Sequence, residues 1–208
     1  MKNSADEGNV NDMYQYGKIL SNGEGVIVNK KEAVRYFKMA ADKNDGHSMF
    51  QYGLKLLKGE GIKKDEDEAI KYIKMAADHD SFKAKTFYGK MLLVGDKVEI
   101  NKQEAIKYIK KAVDYKDPES LFIYANILLN GDGVNVNIEE GAQYLKMSAD
   151  LDYDEAILQY GLMLSKGDKI PYNKVEAVEY LQKSVNKTGD KTAMFQLALM
   201  LKNEDEIP

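Results

Sequence analysis

Cysteine is absent from the 208 residues, which excludes disulfides, thiolate metal sites and a cysteine nucleophile and fits a reducing, cytoplasmic setting. Histidine is almost absent. His47 stands at the start of one expected helix and His79 at the end of the next, neither with a second ligand at metal-binding spacing. No apolar run approaches the roughly 18 residues that cross a bilayer. The start, Met1-Lys-Asn-Ser-Ala-Asp-Glu7, is polar where a signal peptide would be apolar. An excess of positive charge is missing too. The net charge is -4, and lysines and acids are interleaved as on a solvated surface, so nucleic acid is not the expected partner.

Catalytic patterns are equally scarce. The acids Asp65-Glu-Asp-Glu68 lie where a helix starts, and helix capping accounts for them without a calcium loop. Gly59-Glu-Gly61 and Gly131-Asp-Gly133 look like pieces of a phosphate loop, but no Lys-Ser/Thr follows either. No nucleophile is accompanied by a base. The chain is expected to be no enzyme and to need no cofactor or metal.

What is present is repetition. Ala69-Ile-Lys-Tyr-Ile-Lys-Met-Ala-Ala-Asp78 returns in close form from Ala33 and Ala105 and more loosely from Gly141 and Ala177, with Tyr36, Tyr72, Tyr108, Tyr144 and Tyr180 spaced by 36. A fixed period of this size marks a solenoid, in which length counts repeats rather than separate cores.

Two helices alternate within each period. The first, helix A, is typified by Ser48–Lys58, where Ser48, Tyr52, Gly53 and Leu56 share one face. Its small-residue phase holds Gly17, Gly53, Gly89, Ala125, Gly161 and Ala198, and its leucine phase Leu20, Leu56, Leu92, Leu128, Leu164 and Leu201. Glycine costs about 1 kcal/mol inside a helix, so its recurrence at one phase predicts a close helix crossing. A Gly-x-Gly turn follows, its first glycine placed to end the helix in the left-handed conformation. The second glycine is replaced by Lys97 and Lys169, where a looser turn is expected. Helix B then starts at Asn29, Asp65, Asn101, Asn137 or Asn173, each with Glu three positions on, a capping-box arrangement on Asx. Its apolar stripe runs through positions 33, 36, 37, 40 and 41 and their equivalents. Asn44, Asp80, Lys116 and Asp152 stand at the helix B exit, with Lys116 the least suited to a left-handed turn.

The ends do not read as caps. The chain opens in the tail of a B helix, and Leu201–Pro208 is expected to run through a last A helix into its turn. The chain is therefore expected to be a segment of a longer array, with a single solenoid over 1-208: 1-11 ending a preceding repeat, 12-47, 48-83, 84-119, 120-155 and 156-192 as full repeats, and 193-208 as a partial one.

The period, the Gly-x-Gly turn, the helix-A glycine and the Ala-x-x-Tyr-x-x-x-Ala-Ala helix together resemble the Sel-one-like repeat (SLR) family, relatives of tetratricopeptide repeats, over essentially the whole chain. The family usually has Leu before the helix-A glycine and Tyr after it, and here the two are exchanged, with Tyr16, Tyr52, Tyr88, Tyr124 and Tyr160 before. The resemblance implies an all-α, right-handed superhelical solenoid of αα-hairpins whose A helices line a concave groove. It also implies a scaffold that binds a protein or peptide there. The alternative is a regulatory or spacing arm of a larger protein, and cut ends could also self-associate end to end.

Under that orientation, helix-A positions away from the core would meet the partner. One phase gives Tyr14, Phe50, Phe122 and Leu158, the next Gln15, Gln51, Phe87, Ile123 and Gln159, and a third Lys18, Leu54, Lys90 and Asn126. Rings supply area and amides can meet a peptide backbone. The aromatics of the first phase could instead pack between successive A helices.

Overall fold

The computed structural model describes residues 1–202. Twelve helices and no strand are found among them: α1 Lys2–Asp6, α2 Val10–Asn22, α3 Lys30–Ala41, α4 Gly46–Lys58, α5 Glu66–Asp78, α6 Phe82–Val94, α7 Lys102–Val113, α8 Pro118–Asn130, α9 Ile138–Asp150, α10 Asp154–Lys166, α11 Lys174–Thr188 and α12 Lys191–Lys202. They fall into two compact units that divide between Ala112 and Val113. Even-numbered helices from α2 onwards are A helices; odd-numbered ones from α3 onwards are B helices.

The caps form as the spacing predicts. The side chains of Asn29, Asp65, Asn101, Asn137 and Asn173 accept from the backbone N–H three residues on, at 2.9–3.2 Å. The glutamate at that position does not reach back to the backbone in the last three copies; it accepts from the asparagine's own side-chain amide at 2.9–3.1 Å. The N–H of each capping residue also donates to the carbonyl of the helix-A leucine nine positions earlier, Leu20, Leu56, Leu92, Leu128 or Leu164. That bond ties the two helices of a hairpin at their joined ends.

The turn glycines Gly23, Gly59, Gly95, Gly131 and Gly167 are all left-handed, with φ between 65° and 76°. A Cβ there would collide with the residue five positions on, Val28 Cγ2 at 2.8 Å in the first copy and Val136 Cγ2 at 2.7 Å in the fourth. The side chain that closes over the turn is itself exposed, which accounts for the outward valines of these loops.

Within each hairpin the A and B helices cross closely. A Cβ on Gly17 would stand 2.7 Å from Phe37, on Gly53 2.8 Å from Ile73, on Gly89 2.6 Å from Ile109 and on Gly161 3.0 Å from Leu181. The fourth hairpin makes the same approach in reverse: Ala125 occupies the helix-A position, and a Cβ on Gly141 of α9 would stand 2.8 Å from Leu129 Cγ. Ile73, Ile109, Leu145 and Leu181 are fully buried, each burial contributing roughly 1.5–3 kcal/mol.

The exchanged tyrosines have a partner. Tyr16–Tyr36, Tyr52–Tyr72, Tyr88–Tyr108, Tyr124–Tyr144 and Tyr160–Tyr180 meet edge to face with ring centroids 4.7–5.2 Å apart. The tyrosine before the helix-A glycine therefore packs on the tyrosine of its own helix B. In three copies the helix-B hydroxyl goes on to the aspartate thirty residues earlier: Tyr36 donates to Asp6 (2.5 Å), Tyr108 to Asp78 (2.6 Å) and Tyr180 to Asp150. Successive B helices are linked in register by this bond.

Three local expectations need correction. Lys116 takes the left-handed exit (φ 55°), as do Asn44 and Asp152 at 66°; Asp80 is the copy that departs, because α5 leaves through His79 in an extended conformation. Lys97 adopts the left-handed turn of the glycine it replaces (φ 62°), while Lys169 does not. In α12, Ala198 and Leu201 do not join a core: Leu201 is 54% exposed, since no B helix follows it among the described residues. The expected turn after α12 lies outside the described residues.

Candidate functional site

The expected contact residues lie on the A helices, on positions outside the tyrosine–glycine–leucine core. In the first unit Phe50 is buried (7% exposed), its ring edge-on to Phe87 at 5.6 Å. Tyr14 is half-buried beside His47 (5.8 Å) and Phe37 (6.3 Å), with Lys18 Nζ 5.6 Å above its ring, and burial pushes its phenol pKa up. In the second unit Phe122 leans on Tyr153 at 5.2 Å. The phase of Tyr14, Phe50 and Phe122 thus fills the seams beside A helices, and Phe50 is not an offered surface. The covering rings come from the following helices and the turns before them, 23 to 37 residues further along the chain.

The other two phases are more open. Gln15, Lys18, Gln51, Leu54 and Phe87 are half-exposed and Lys90 is exposed. In the second unit Ile123, Asn126 and Gln159 are half-exposed, and so is Leu158 of the first phase. The structure brings two of them together: Gln159 Nε2 donates to Asn126 Oδ1 at 2.8 Å, and Asn126 Nδ2 donates to the Phe122 carbonyl at 3.0 Å. Those amides are occupied with each other, so Gln159 offers a partner's backbone less than its polarity suggests. The candidate residues form two surfaces, one on α2, α4 and α6 and one on α8 and α10.

Two features escape the sequence reading. Lys85 sits at the phase of Met13, Met49, Leu121 and Ile157, a core position, and is only 7% exposed. Its amine donates to the His79 carbonyl at the one extended helix-B exit, and burial lowers its pKa. Aligning the copies would have exposed it as the only lysine in an apolar column. The second feature is charge. Residues 1–112 hold 21 Lys and Arg against 17 Asp and Glu, whereas residues 113–208 hold nine against 17. Interleaving along the chain hides a net +4 on the first unit and -8 on the second.

A cleft of about 500 Å³ opens beside Lys146, Tyr160, Tyr172 and Glu176. Its counterpart at Leu56, Ile62, Asp65 and Glu68, about 250 Å³, holds the equivalent residues three periods earlier. It is the notch left by the A–B turn, a feature of the repeat. Among the described residues no group of three or more His, Asp or Glu could hold a metal ion, and no helix is long and apolar enough to cross a membrane.

With this geometry in place, the comparisons fall into line. A family model described as Sel1 repeat matches residues 11–45, 46–81, 83–114, 118–153 and 154–188. A Sel1 repeat protein from Oxalobacter formigenes is 28% identical, superposes with a TM-score of 0.82, and covers 90% of this chain and 76% of that one. The protective antigen c5321 of uropathogenic Escherichia coli, with an SLR fold, is 23% identical at a TM-score of 0.83 over 96% of this chain but only 42% of that one. The APC/C hetero-tetramer Cut9–Hcn1 shares the fold alone, at 15% identity and a TM-score of 0.51, over 97% of this chain and 41% of that one. No curated protein matches the chain.

Proposed function

The chain belongs to the Sel1 repeat family, an all-helical family of αα-hairpin repeats that generally serve as protein-interaction scaffolds, and from that premise we propose that it is a non-catalytic scaffold holding a protein or peptide partner against its A helices. The observation that carries the reading is the division of labour within the repeat. The faithfully repeated residues are consumed by packing: tyrosine pairs, the glycine crossing and the Asx caps. The outward A-helix phases vary from copy to copy: Leu54, Phe87 and Leu158 pack along one edge against the core and stay half-exposed on the other, and Ile123 is half-exposed as well. Variable, partly apolar surface on a rigid frame is what selective recognition needs. We read the five repeats as one array with the period of 36, and nucleic acid, metal and cofactor as outside its role.

Capture from native cell extract tests this, with Leu54→Ala/Phe87→Ala in the first unit and Ile123→Ala/Leu158→Ala in the second compared with the unaltered chain by mass spectrometry. Phe50 is a poor choice, because truncating a buried ring opens a cavity costing roughly 3–5 kcal/mol. The expected result is loss of the same captured proteins in at least one double variant that retains its helical circular dichroism. Unchanged capture by both double variants would sink the assignment.

A further inference from the structure

We propose that the A-helix face of the first unit is a docking surface for an acidic segment of a partner protein, one that carries aromatic or aliphatic anchors among its carboxylates. This rests on the scaffold reading above and adds the chemistry of the partner. Three residues in each A helix, spaced i, i+7 and i+11, point to the middle of the outward face. In α2, α4 and α6 these are Asn11, Lys18 and Asn22; His47, Leu54 and Lys58; and Lys83, Lys90 and Val94. Four lysines and a histidine stand there and no acid. The equivalent positions of α8 and α10 hold Glu119, Asn126, Asn130, Glu155, Leu162 and Lys166, with two acids and one lysine.

The bias extends to whole helices. Neither α4 nor α6 contains an Asp or Glu, although the chain has 34 acids and a net charge of -4. Three of the four acids of the neighbouring α5, Glu66, Asp67 and Glu68, lie in its first turn, where they complement the helix dipole, and the fourth, Asp78, accepts from Tyr108. A mixed-charge solvated face would show both signs. This one shows lysines around Leu54, Phe87 and a Val94 that is 71% exposed, so carboxylates and apolar anchors are met on the same surface. A phosphate chain would find Leu54, Phe87 and Val94 interrupting its path, so a peptide fits the face better than an oligonucleotide. Paired charges across such a face mainly raise the association rate and set specificity, and exposed ones are screened beyond roughly 8 Å at physiological salt.

The test is selection of random 16-residue peptides displayed on phage against the full chain, against Lys83→Glu/Lys90→Glu, and against Lys71→Glu/Lys107→Glu as a control on exposed helix-B lysines. Enriched peptides are then synthesised for fluorescence anisotropy at two salt concentrations. Enrichment of net-acidic peptides containing Phe, Leu or Ile is expected. Their affinity should fall about tenfold or more in Lys83→Glu/Lys90→Glu, by much less in the control, and with added salt, as for charge pairs at other interfaces. Enrichment of neutral or basic peptides that lose binding in Leu54→Ala/Phe87→Ala would overturn the acidic partner and leave the scaffold reading standing. Failure to enrich any peptide would count against both. Equal binding by a single-stranded RNA 20-mer would overturn the choice of a peptide. Dimerisation of the chain abolished by Lys83→Glu/Lys90→Glu would assign the face instead to the acidic second unit of another copy.

Discussion

The first unit presents lysines around Leu54 and Phe87 on its A helices, while the second presents Ile123, Leu158 and an Asn126–Gln159 amide pair. Both are built from the same hairpin, with the same caps, turn glycines and tyrosine pairs. The difference therefore does not come from the caps, turn glycines and tyrosine pairs, which recur in both units. It teaches that the repeat leaves its outward phases unconstrained, and that those phases carry what distinguishes one part of the array from another. It also exposes a core difference: Lys85 in the first unit stands where the second has Leu121 and Ile157.

The helix crossing gives the largest expected effect. Gly89→Ala should destabilise by about 1–3 kcal/mol through overpacking, because its Cβ would sit 2.6 Å from Ile109 Cγ1 and 3.3 Å from the Ala105 carbonyl oxygen. Helix propensity alone would make the same change stabilising by about 1 kcal/mol. Gly161→Ala in the second unit, where Leu181 is 3.0 Å away, should cost less. Urea unfolding of both variants measures this, and a gain in stability for Gly89→Ala would show that Ile109 yields freely.

Lys85→Met should bring the first unit closer to the second and raise stability by about 1 kcal/mol, within the range for relieving a buried polar group. The pH dependence has a definite sign. A lysine whose folded pKa is lowered binds fewer protons in the native state than in the unfolded state. Stability is therefore penalised below the folded pKa and recovers as pH rises towards the unfolded value of 10.5. Thermal melts at pH 8 and pH 10.5 should show the advantage of Lys85→Met shrinking at the higher pH. A constant advantage would mean that the gain comes from packing alone.

The smallest effect is expected at the tyrosine hydroxyls. Tyr108→Phe removes one bond to Asp78, while Tyr180→Phe removes a bond to Asp150 and also the acceptor for Lys146 Nζ at 3.1 Å. Each should cost about 0.5–1 kcal/mol, with Tyr180→Phe the greater. Burial, followed by the bond to Asp150, pushes the Tyr180 phenol up to about 12, so its ultraviolet titration should lag that of a free tyrosine side chain at about 10. Titration of Tyr180 like a free tyrosine side chain would contradict the bond.

Much of this was legible in advance because the repeat is self-averaging. Five copies of Asn or Asp followed by Glu three positions on, or four glycines and one alanine at one helix-A phase, separate a structural requirement from accident. The sites that were not legible are those where copies differ. Reading Phe50 as an offered ring failed because a helix's outward edge is covered by the next helix, and periodicity within one helix carries no information about its neighbour. The tyrosine pairing was present as two series offset by 20 residues, but a fixed offset does not reveal contact until the hairpin closes.

By itself the sequence determined the helices, their caps, their turns and the period, because each depends on residues a few positions apart and on the intrinsic conformations of Gly and Asx. Only the tertiary structure decided which side chains those helices conceal. It put Phe50 and Lys85 inside and joined Asn126 to Gln159. It also gathered the lysines of α2, α4 and α6 on one face, because burial and proximity arise between helices some thirty residues apart, beyond the reach of any local pattern.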